Sequence, residues 1–274
     1  MQHPFGDYID KKFLRKQKCK LVTSLRKKYQ GMVTATTLAD SIRATCDASE
    51  FIDRRLYSWK RMLGGGVTPF STFRGFFLEE VTLNLARLAV DNKPRAALEV
   101  VKLSTDKGVV TGISLAFRRQ RVPDIVPIQF RRDREDVIIG FRRTLRIQEK
   151  GNEPTDLTNE IIPVCVIACK MYIDATRLEN VLAKAKNMYN QYSSCHFLVV
   201  AEWDALAEDA HDQKGQILDS LFAPVNHIVF LRGTRTHRPP NNQLKTFCKA
   251  NPYLPQELKK LYRIIMAAIK EFSN

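Results

Sequence analysis

The sequence predicts an α/β fold in which a mixed central sheet is flanked by helices. The first observation is the apolar run Ile161–Cys169, which has the uncharged, β-branched character of a central strand buried on both faces. The second is the helical spacing of apolar residues before residue 91, and the third is a change after residue 97 to short runs rich in β-branched residues. This order of elements favours one layered α/β core.

The N-terminal part reads as helical over residues 7–62, where Leu21, Leu25 and Tyr29 recur at helical spacing. Three consecutive glycines at 64–66 then interrupt the pattern. We therefore predict an N-terminal helical region over residues 1–66, serving as a DNA clamp or in dimerisation, and a second domain over residues 67–274. The next predicted helix, Ser71–Val90, is capped by its first residues and carries adjacent glutamates in its middle.

The remaining elements are predicted from shorter patterns. We expect a hairpin between strands Leu98–Leu103 and Val109–Phe117, with its turn at 106–108. A loop is expected over residues 148–159, because that stretch is polar. The other predicted strands are Val126–Phe130, Asp136–Ile139, Thr144–Ile147, Ile161–Cys169, His196–Ala201 and His227–Leu231, and the other predicted helices are Asp174–Tyr192 and Pro255–Phe272.

The charge balance points to a polyanionic partner. Lys and Arg total 44 against 29 Asp and Glu, a net charge of +15, which suits nucleic acid or an anionic membrane surface. A merely basic soluble protein is the alternative. No apolar run approaches the roughly 20 residues that cross a bilayer, and the first residues contain no signal-peptide core, so we expect no membrane partner and a cytoplasmic location. The six cysteines form no CxxC pair, which disfavours a zinc knuckle.

Two residues stand where a metal-dependent phosphodiesterase would place its catalytic groups. Lys170 ends the buried strand, at the rim where α/β sheets bind ligands, and Asp136 begins another short apolar strand. Carboxylates suit Mg²⁺, a hard cation, and a lysine can orient the attacking water and stabilise developing charge. As a bare pattern this is weak, because many strands end in a soluble lysine.

A family resemblance strengthens that interpretation. The stretch IIPVCVIACKMYIDATRLENVLAKAKNMY, followed by HFLVVAEWDAL, resembles the catalytic strand–helix–strand of PD-(D/E)xK restriction endonucleases of the type represented by the heterodimeric enzyme BbvCI. FFLEEVTLNLARL, DREDVIIG and HIVFLRGTRTHRP resemble three further blocks of that family. These blocks occur in order over roughly residues 70–272 and leave the N-terminal helices uncovered. The resemblance implies a PD-(D/E)xK restriction-endonuclease-like core.

The resemblance also implies roles for individual residues. Asp136 would be the first metal-binding carboxylate, Lys170 the catalytic lysine, and the main-chain carbonyl of Cys169 a further metal ligand. Glu80, or with less support Glu79, would lie near the metal, since neighbouring residues of a helix do not face the same way. A solvated helix face is the alternative for both glutamates. The implied cofactor is Mg²⁺.

The sequence departs from the family at Ala168, where the pattern has a glutamate two residues before the lysine. Alanine cannot bind a cation, so metal affinity and cleavage should collapse. A deliberate Glu-to-Ala substitution, a naturally silent subunit with an active partner, or a carboxylate supplied instead by Glu179 or Glu202 would each explain the change. We favour the first explanation, because Lys170 would be expected to drift in a site that has long been inactive.

The expected function is that of a Type II restriction endonuclease, or a subunit of one, in a restriction-modification system. It would bind a short site in double-stranded DNA, hydrolyse phosphodiester bonds with Mg²⁺, and act as a homodimer or as a heterodimer with a related subunit. The alternatives are a catalytically silent DNA-recognition subunit and a non-enzymatic nucleic-acid-binding protein on the same fold. Basic residues on and around the hairpins and after the last strand are the predicted DNA contacts: Arg118, Arg119, Arg121, Arg131, Arg132, Arg134, Arg142, Arg143, Arg232, Arg235, His237 and Arg238.

Overall fold

The computed structural model describes ten segments of the chain: residues 4–13, 19–64, 67–92, 98–101, 109–115, 128–133, 136–147, 155–206, 225–233 and 244–271. The helices are α1 (Pro4–Lys12), α2 (Lys20–Val33), α3 (Leu38–Arg54), α4 (Leu56–Met62), α5 (Val67–Asp91), α6 (Ala175–Gln191), α7 (Leu244–Ala250) and α8 (Pro255–Glu271). The strands are β1 (Leu98–Val101), β2 (Val109–Leu115), β3 (Ile128–Asp133), β4 (Val137–Ile147), β5 (Thr155–Ile173), β6 (His196–Asp204) and β7 (His227–Phe230).

The main sheet has five strands in the order β1-β4-β5-β6-β7. The β1–β4 and β4–β5 pairs are antiparallel, whereas β5, β6 and β7 run parallel. Strand β5 lies at the centre of the sheet, as its uninterrupted apolar run predicts, and helix α6 connects it to β6. This mixed sheet with helices against it confirms the predicted α/β fold class.

Helices cover both faces of the sheet and form two apolar cores. On one face, side chains of α1–α5 and α8 pack with alternate residues of the strands, including Ile167 and Val200. On the other face, the inner side of α6 packs with the intervening residues, including Ala168 and Val199. Phe5 of α1 lies 5.2 Å from Phe73 of α5 between ring centroids, so the N-terminal helices share a core with the sheet. The division at residue 66 stays a prediction.

Several predicted elements have different bounds or partners. The expected β1–β2 hairpin is wrong, because β1 pairs with β4 while β2 pairs with β3 in a separate two-stranded sheet; the proposed turn at 106–108 lies outside the described residues. The loop expected over 148–159 is wrong for residues 155–159, because β5 begins at Thr155; residues 148–154 lie outside the described residues. Helix α5 begins at Val67 rather than Ser71, since Pro69 is tolerated in a first helical turn. Helix α7 was not predicted.

The β4–β5 ladder contains a bulge where Gly140 lies opposite Pro163, skipping one residue of β5. Proline cannot donate to the ladder, and a bulge accommodates it. A Cβ on Gly140 would lie 2.4 Å from the carbonyl oxygen of Ile162. The close approach of two backbones therefore requires glycine here.

Gly140→Ala should destabilise the protein by about 1–3 kcal/mol, because the added methyl group forces the strands apart. Denaturant unfolding measures the change in the free energy of unfolding. Gly75→Ala is the matched control: a Cβ at this position of α5 meets nothing within 4 Å, and the same substitution there should stabilise by roughly 0.5–1 kcal/mol. Equal effects at the two positions would contradict the backbone-approach argument.

Candidate functional site

The sheet register brings the predicted catalytic residues together at one edge. Asp136 directly precedes β4, whose first residue Val137 pairs with Ile167 of the antiparallel β5. The register therefore places Asp136 beside Ala168. Because side chains alternate along a strand, Asp136, Ala168 and Lys170 belong to the same face of the sheet, the one covered by α6.

Three contacts define the geometry of this strand edge. The main-chain N–H of Cys169 donates a hydrogen bond to Oδ2 of Asp136 at 2.6 Å. The Lys170 ammonium lies 3.4 Å from the same carboxylate oxygen and donates to the carbonyl oxygen of Cys169 at 3.1 Å. The side chains of Asp136 and Lys170 are 26% and 29% exposed, so solvent reaches the pair. We call these three residues the strand-edge site.

The thiol of Cys169 points to the opposite face of the sheet, where it lies 3.4 Å from Oγ1 of Thr82 in α5. Burial raises the pKa of this thiol well above its ordinary value, and the charge of Asp136 raises it further. The thiol therefore lies on the α5 face, away from the face that carries the side chains of Asp136 and Lys170. Of Cys169, only the carbonyl oxygen remains a candidate ligand, as the family resemblance implies.

Ala168 is fully buried, and its methyl group packs in the core between the sheet and α6. Among the described residues, the strand-edge site offers the carboxylate of Asp136 and the main-chain carbonyl of Cys169 as donors. Within the described segments, no group of three or more His, Cys, Asp and Glu residues is arranged to hold a metal ion. This donor set is one carboxylate smaller than the family pattern provides, so the described residues would hold Mg²⁺ only weakly.

The prediction that Glu80 lies near the metal is contradicted by its contacts. Glu80 is fully buried, and its Oε2 accepts a hydrogen bond from the main-chain N–H of Phe5 at 3.2 Å. Its Oε1 lies 3.9 Å from the guanidinium of Arg87, within the layer of helices. Glu79 instead lies close enough to Cys169 to contribute to the raised pKa of that thiol.

Glu202 and Arg232 belong to a buried charge cluster, defined as Asp53, Arg74, Glu202 and Arg232, and all four side chains are at most 3% exposed. Arg74 donates to both carboxylate oxygens of Glu202, at 3.0 and 2.6 Å. Arg232 donates to Glu202 at 3.0 Å and to Asp53 at 2.9 Å. Each arginine therefore bridges the same two carboxylates, and the formal charges balance.

This cluster corrects two predictions. Arg232 is not placed to contact DNA, because its guanidinium is buried and is held by carboxylates and by the carbonyl oxygen of Asn251. Glu202 is not available to replace the missing glutamate, because both of its oxygens are engaged by arginines on the α5 side of the sheet. Glu179, the other candidate replacement, lies on the exposed side of α6.

The remaining predicted DNA contacts divide into three groups. Arg142 and Arg143 are exposed on β4, where Arg142 pairs with Glu99 at 2.6 Å. Arg131 and Arg132 lie on β3, of which only the backbone is described. The others fall outside the described residues: Arg118, Arg119, Arg121, Arg134, Arg235, His237 and Arg238.

Comparisons with known proteins bear on the fold. No protein-family model and no curated protein matches the chain. Among solved structures, one described as the native BbvCI A2B2 tetramer at low resolution matches with a TM-score of 0.61 and 14% sequence identity. The match covers 97% of this chain and 95% of that chain. The chain has a restriction-endonuclease-like fold.

That likeness extends over nearly the whole chain, the N-terminal helices included, whereas the sequence resemblance covers only residues from about 70 onward. In the described part of the chain, no helix combines the length and the apolar character needed to span a membrane.

Proposed function

We propose that this chain is a subunit of a site-specific deoxyribonuclease of the PD-(D/E)xK restriction-endonuclease type, with a site that binds DNA but cleaves it poorly. The observation that carries the proposal is the strand-edge site: Asp136, the Cys169 peptide and Lys170 meet within hydrogen-bonding distance on a restriction-endonuclease-like fold. The net charge of +15 supports a polyanionic partner such as double-stranded DNA.

The poor cleavage follows from the composition of the site. Mg²⁺ in a nuclease of this type offsets charge in the transition state and activates a water, and it depends on carboxylate ligands to be held there. With Ala168 in place of a glutamate, Asp136 is left as a single carboxylate beside the Cys169 carbonyl. We infer that the Lys170 ammonium, held by its ion pair with Asp136, contacts a DNA phosphate.

An assembly of more than one subunit is part of the proposal. The similar structure is a tetramer of composition A2B2. Cleavage of both strands of a duplex requires two active sites, which a two-fold dimer supplies. A dimer containing one poorly active chain and one active partner would nick a single strand. The proposal includes either a homodimer or a heterodimer with a related subunit.

A second candidate function is a naturally silent DNA-recognition subunit. The complete burial of Ala168 in the α6-side core favours it, because the position is packed as an ordinary apolar residue. The two candidates differ in whether a glutamate at 168 restores cleavage. They agree that the chain itself binds a defined duplex sequence.

The test is selection of duplexes from a random-sequence pool, followed by plasmid cleavage with Mg²⁺. We expect enrichment of one short site, with little or no conversion of a plasmid carrying that site to nicked or linear forms. Affinity should fall steeply with salt, with a slope of roughly 0.9 per phosphate contacted. Enrichment of no sequence would contradict the proposal, and equal affinity for single-stranded RNA would favour a non-enzymatic nucleic-acid-binding protein.

A further inference from the structure

The Lys170 ammonium contacts both oxygens that the described residues of the strand-edge site could offer to a metal ion. In the proposed nuclease type, the metal ion would lie between the first carboxylate and the main-chain carbonyl that precedes the lysine. Here the Lys170 ammonium lies between those two oxygens, 3.4 Å from Oδ2 of Asp136 and 3.1 Å from the carbonyl oxygen of Cys169. The lysine thus makes both of the contacts that would otherwise fall to a divalent cation.

The charge of the site differs from that of a site with two carboxylates. Asp136 and Lys170 carry opposite unit charges, so their sum is zero, and Ala168 adds none. A glutamate at 168 would make the sum negative on the same face of the sheet. A DNA phosphate entering a negative site is repelled until a cation neutralises it. A neutral site with a partly exposed ammonium lacks that repulsion.

The packing of Ala168 supports the same conclusion. Its side chain is fully buried among apolar neighbours of β4, β6 and α6, including Ile138 and Val199. Residue 168 therefore supplies no polar group that could compete with Asp136 for the Lys170 ammonium. Glu79 is the other carboxylate within electrostatic reach of Cys169, but it approaches from the α5 face, so it is included in the test as a rival second ligand.

We propose that the Lys170 ammonium takes the place of the divalent cation in this chain, bridging Asp136 to the Cys169 carbonyl and receiving a backbone phosphate of double-stranded DNA, so that DNA binding needs no metal ion. This inference rests on the proposed DNA-binding function and adds that the binding of DNA does not depend on a metal ion. It also distinguishes this site from one that depends on two carboxylates and a bound cation.

The experiment measures the dissociation constant of the full-length chain for a labelled duplex recovered from the random pool. Fluorescence anisotropy is recorded in EDTA, in Mg²⁺ and in Ca²⁺ at matched ionic strength, because phosphate contacts respond to salt. For the unaltered chain, we expect the dissociation constant to change by less than about twofold between EDTA and Ca²⁺. Ala168→Glu should bind at least about tenfold more weakly in EDTA and recover in Ca²⁺, because it introduces an uncompensated negative charge.

Asp136→Asn provides a test that does not depend on the folding of the Ala168→Glu variant. Its amide oxygen can still accept the hydrogen bond from Cys169, but the Lys170 ammonium loses the ion pair that positions it. Binding should therefore weaken to the same extent in EDTA and in Ca²⁺, whereas in a metal-dependent site the loss of affinity would be confined to Ca²⁺. Lys170→Ala should weaken binding in EDTA by about tenfold, with Lys186→Ala, an exposed lysine of α6, as the control for the same loss of charge.

The outcomes separate the inference from the function on which it rests. A requirement of the unaltered chain for Ca²⁺ or Mg²⁺ would overturn the inference while leaving DNA binding in place. If Glu79→Gln then abolished that requirement, Glu79 would be the second ligand instead. Failure to bind any duplex under any condition would overturn the proposed function itself. A loss of affinity in Asp136→Asn that is confined to Ca²⁺ would also contradict the substitution of lysine for metal.

Discussion

Ala168→Glu is expected to raise the rate of plasmid cleavage in Mg²⁺ by at least about 100-fold, because a bound metal ion is worth several kcal/mol in the transition state. The register places residue 168 beside Asp136 and on the same face as Lys170. A glutamate there would complete a pair of carboxylates at the strand-edge site. Agarose-gel assays of supercoiled plasmid carrying the selected site, with and without EDTA, measure the effect.

The control for this variant is Ala168→Gln, which adds the same volume without the charge. Because Ala168 is fully buried, both variants are expected to lower the free energy of unfolding, and thermal melts show whether each still folds. A glutamate variant that folds, binds DNA and cleaves no faster than the glutamine variant would support the naturally silent subunit instead.

Adding Lys170→Ala to Ala168→Glu should remove the restored cleavage. The lysine is the cationic side chain of the strand-edge site, and its loss removes charge stabilisation worth about 100–1,000-fold in rate. The double variant is compared with the single glutamate variant on the same plasmid and at the same salt concentration. Cleavage that survives the double substitution would show that the catalytic role of Lys170 is assigned wrongly.

Arg74→Met is expected to lower the free energy of unfolding by about 3–5 kcal/mol, the largest effect on stability that the structure implies. Arg74 is fully buried and pairs with Glu202 and Asp53. Its removal leaves two carboxylates in the core with Arg232 as their remaining cation. Since the cluster joins α3, α5, β6 and the segment just after β7, the loss should affect unfolding of the whole domain. Urea denaturation monitored by circular dichroism measures it.

Arg54→Met is the matched control for that prediction. Arg54 pairs with Glu50 on the outer side of α3, with side chains 67% and 51% exposed, and exposed pairs of this kind contribute about 0.5 kcal/mol or less. Arg74→Met combined with Glu202→Met should recover part of the lost stability, because no single carboxylate is then left in excess. Similar losses for Arg74→Met and Arg54→Met would contradict the role of the buried cluster.

The strand-edge site could be predicted because its signals are local. Asp136 begins an apolar run and Lys170 ends the longest one, and the antiparallel register of β4 and β5 then brings the two together. The central position of β5 followed from the same uninterrupted apolar run. Ala168 was identified by the family resemblance, in which a glutamate lies two residues before the lysine.

The erroneous predictions depended on partners distant in the chain. Glu80 was preferred over Glu79, but the orientation of α5 is set by packing against α1, where Glu80 binds the Phe5 amide. Arg232 was assigned to DNA because it lies in a basic stretch, but Asp53, its partner, is 179 residues away. One sequence signal did exist: Arg74 lies on the same helical stripe as Phe70 and Phe77, and a charge on an apolar stripe requires a buried partner.

The pairing partner of β1 was also predicted wrongly, because it lies far along the chain. Adjacent β-rich runs normally form a hairpin, and the sequence between β1 and β2 contains suitable turn residues. In the structure, β1 pairs with β4, aligning Val100 with Ile139, and so extends the main sheet. We attribute this pairing to the packing of β1 against α5 and β4, which outweighs the local tendency to form a hairpin. The sequence of neither strand indicates that β1 pairs with a distant strand.

The most direct test of the account is a crystal structure of the unaltered chain bound to its selected duplex, grown in the presence of Ca²⁺. We expect a DNA phosphate within hydrogen-bonding distance of the Lys170 ammonium, with that ammonium still bridging Asp136 and the Cys169 carbonyl. A Ca²⁺ ion coordinated by Asp136 and the Cys169 carbonyl, or a duplex bound away from this strand edge, would contradict the account.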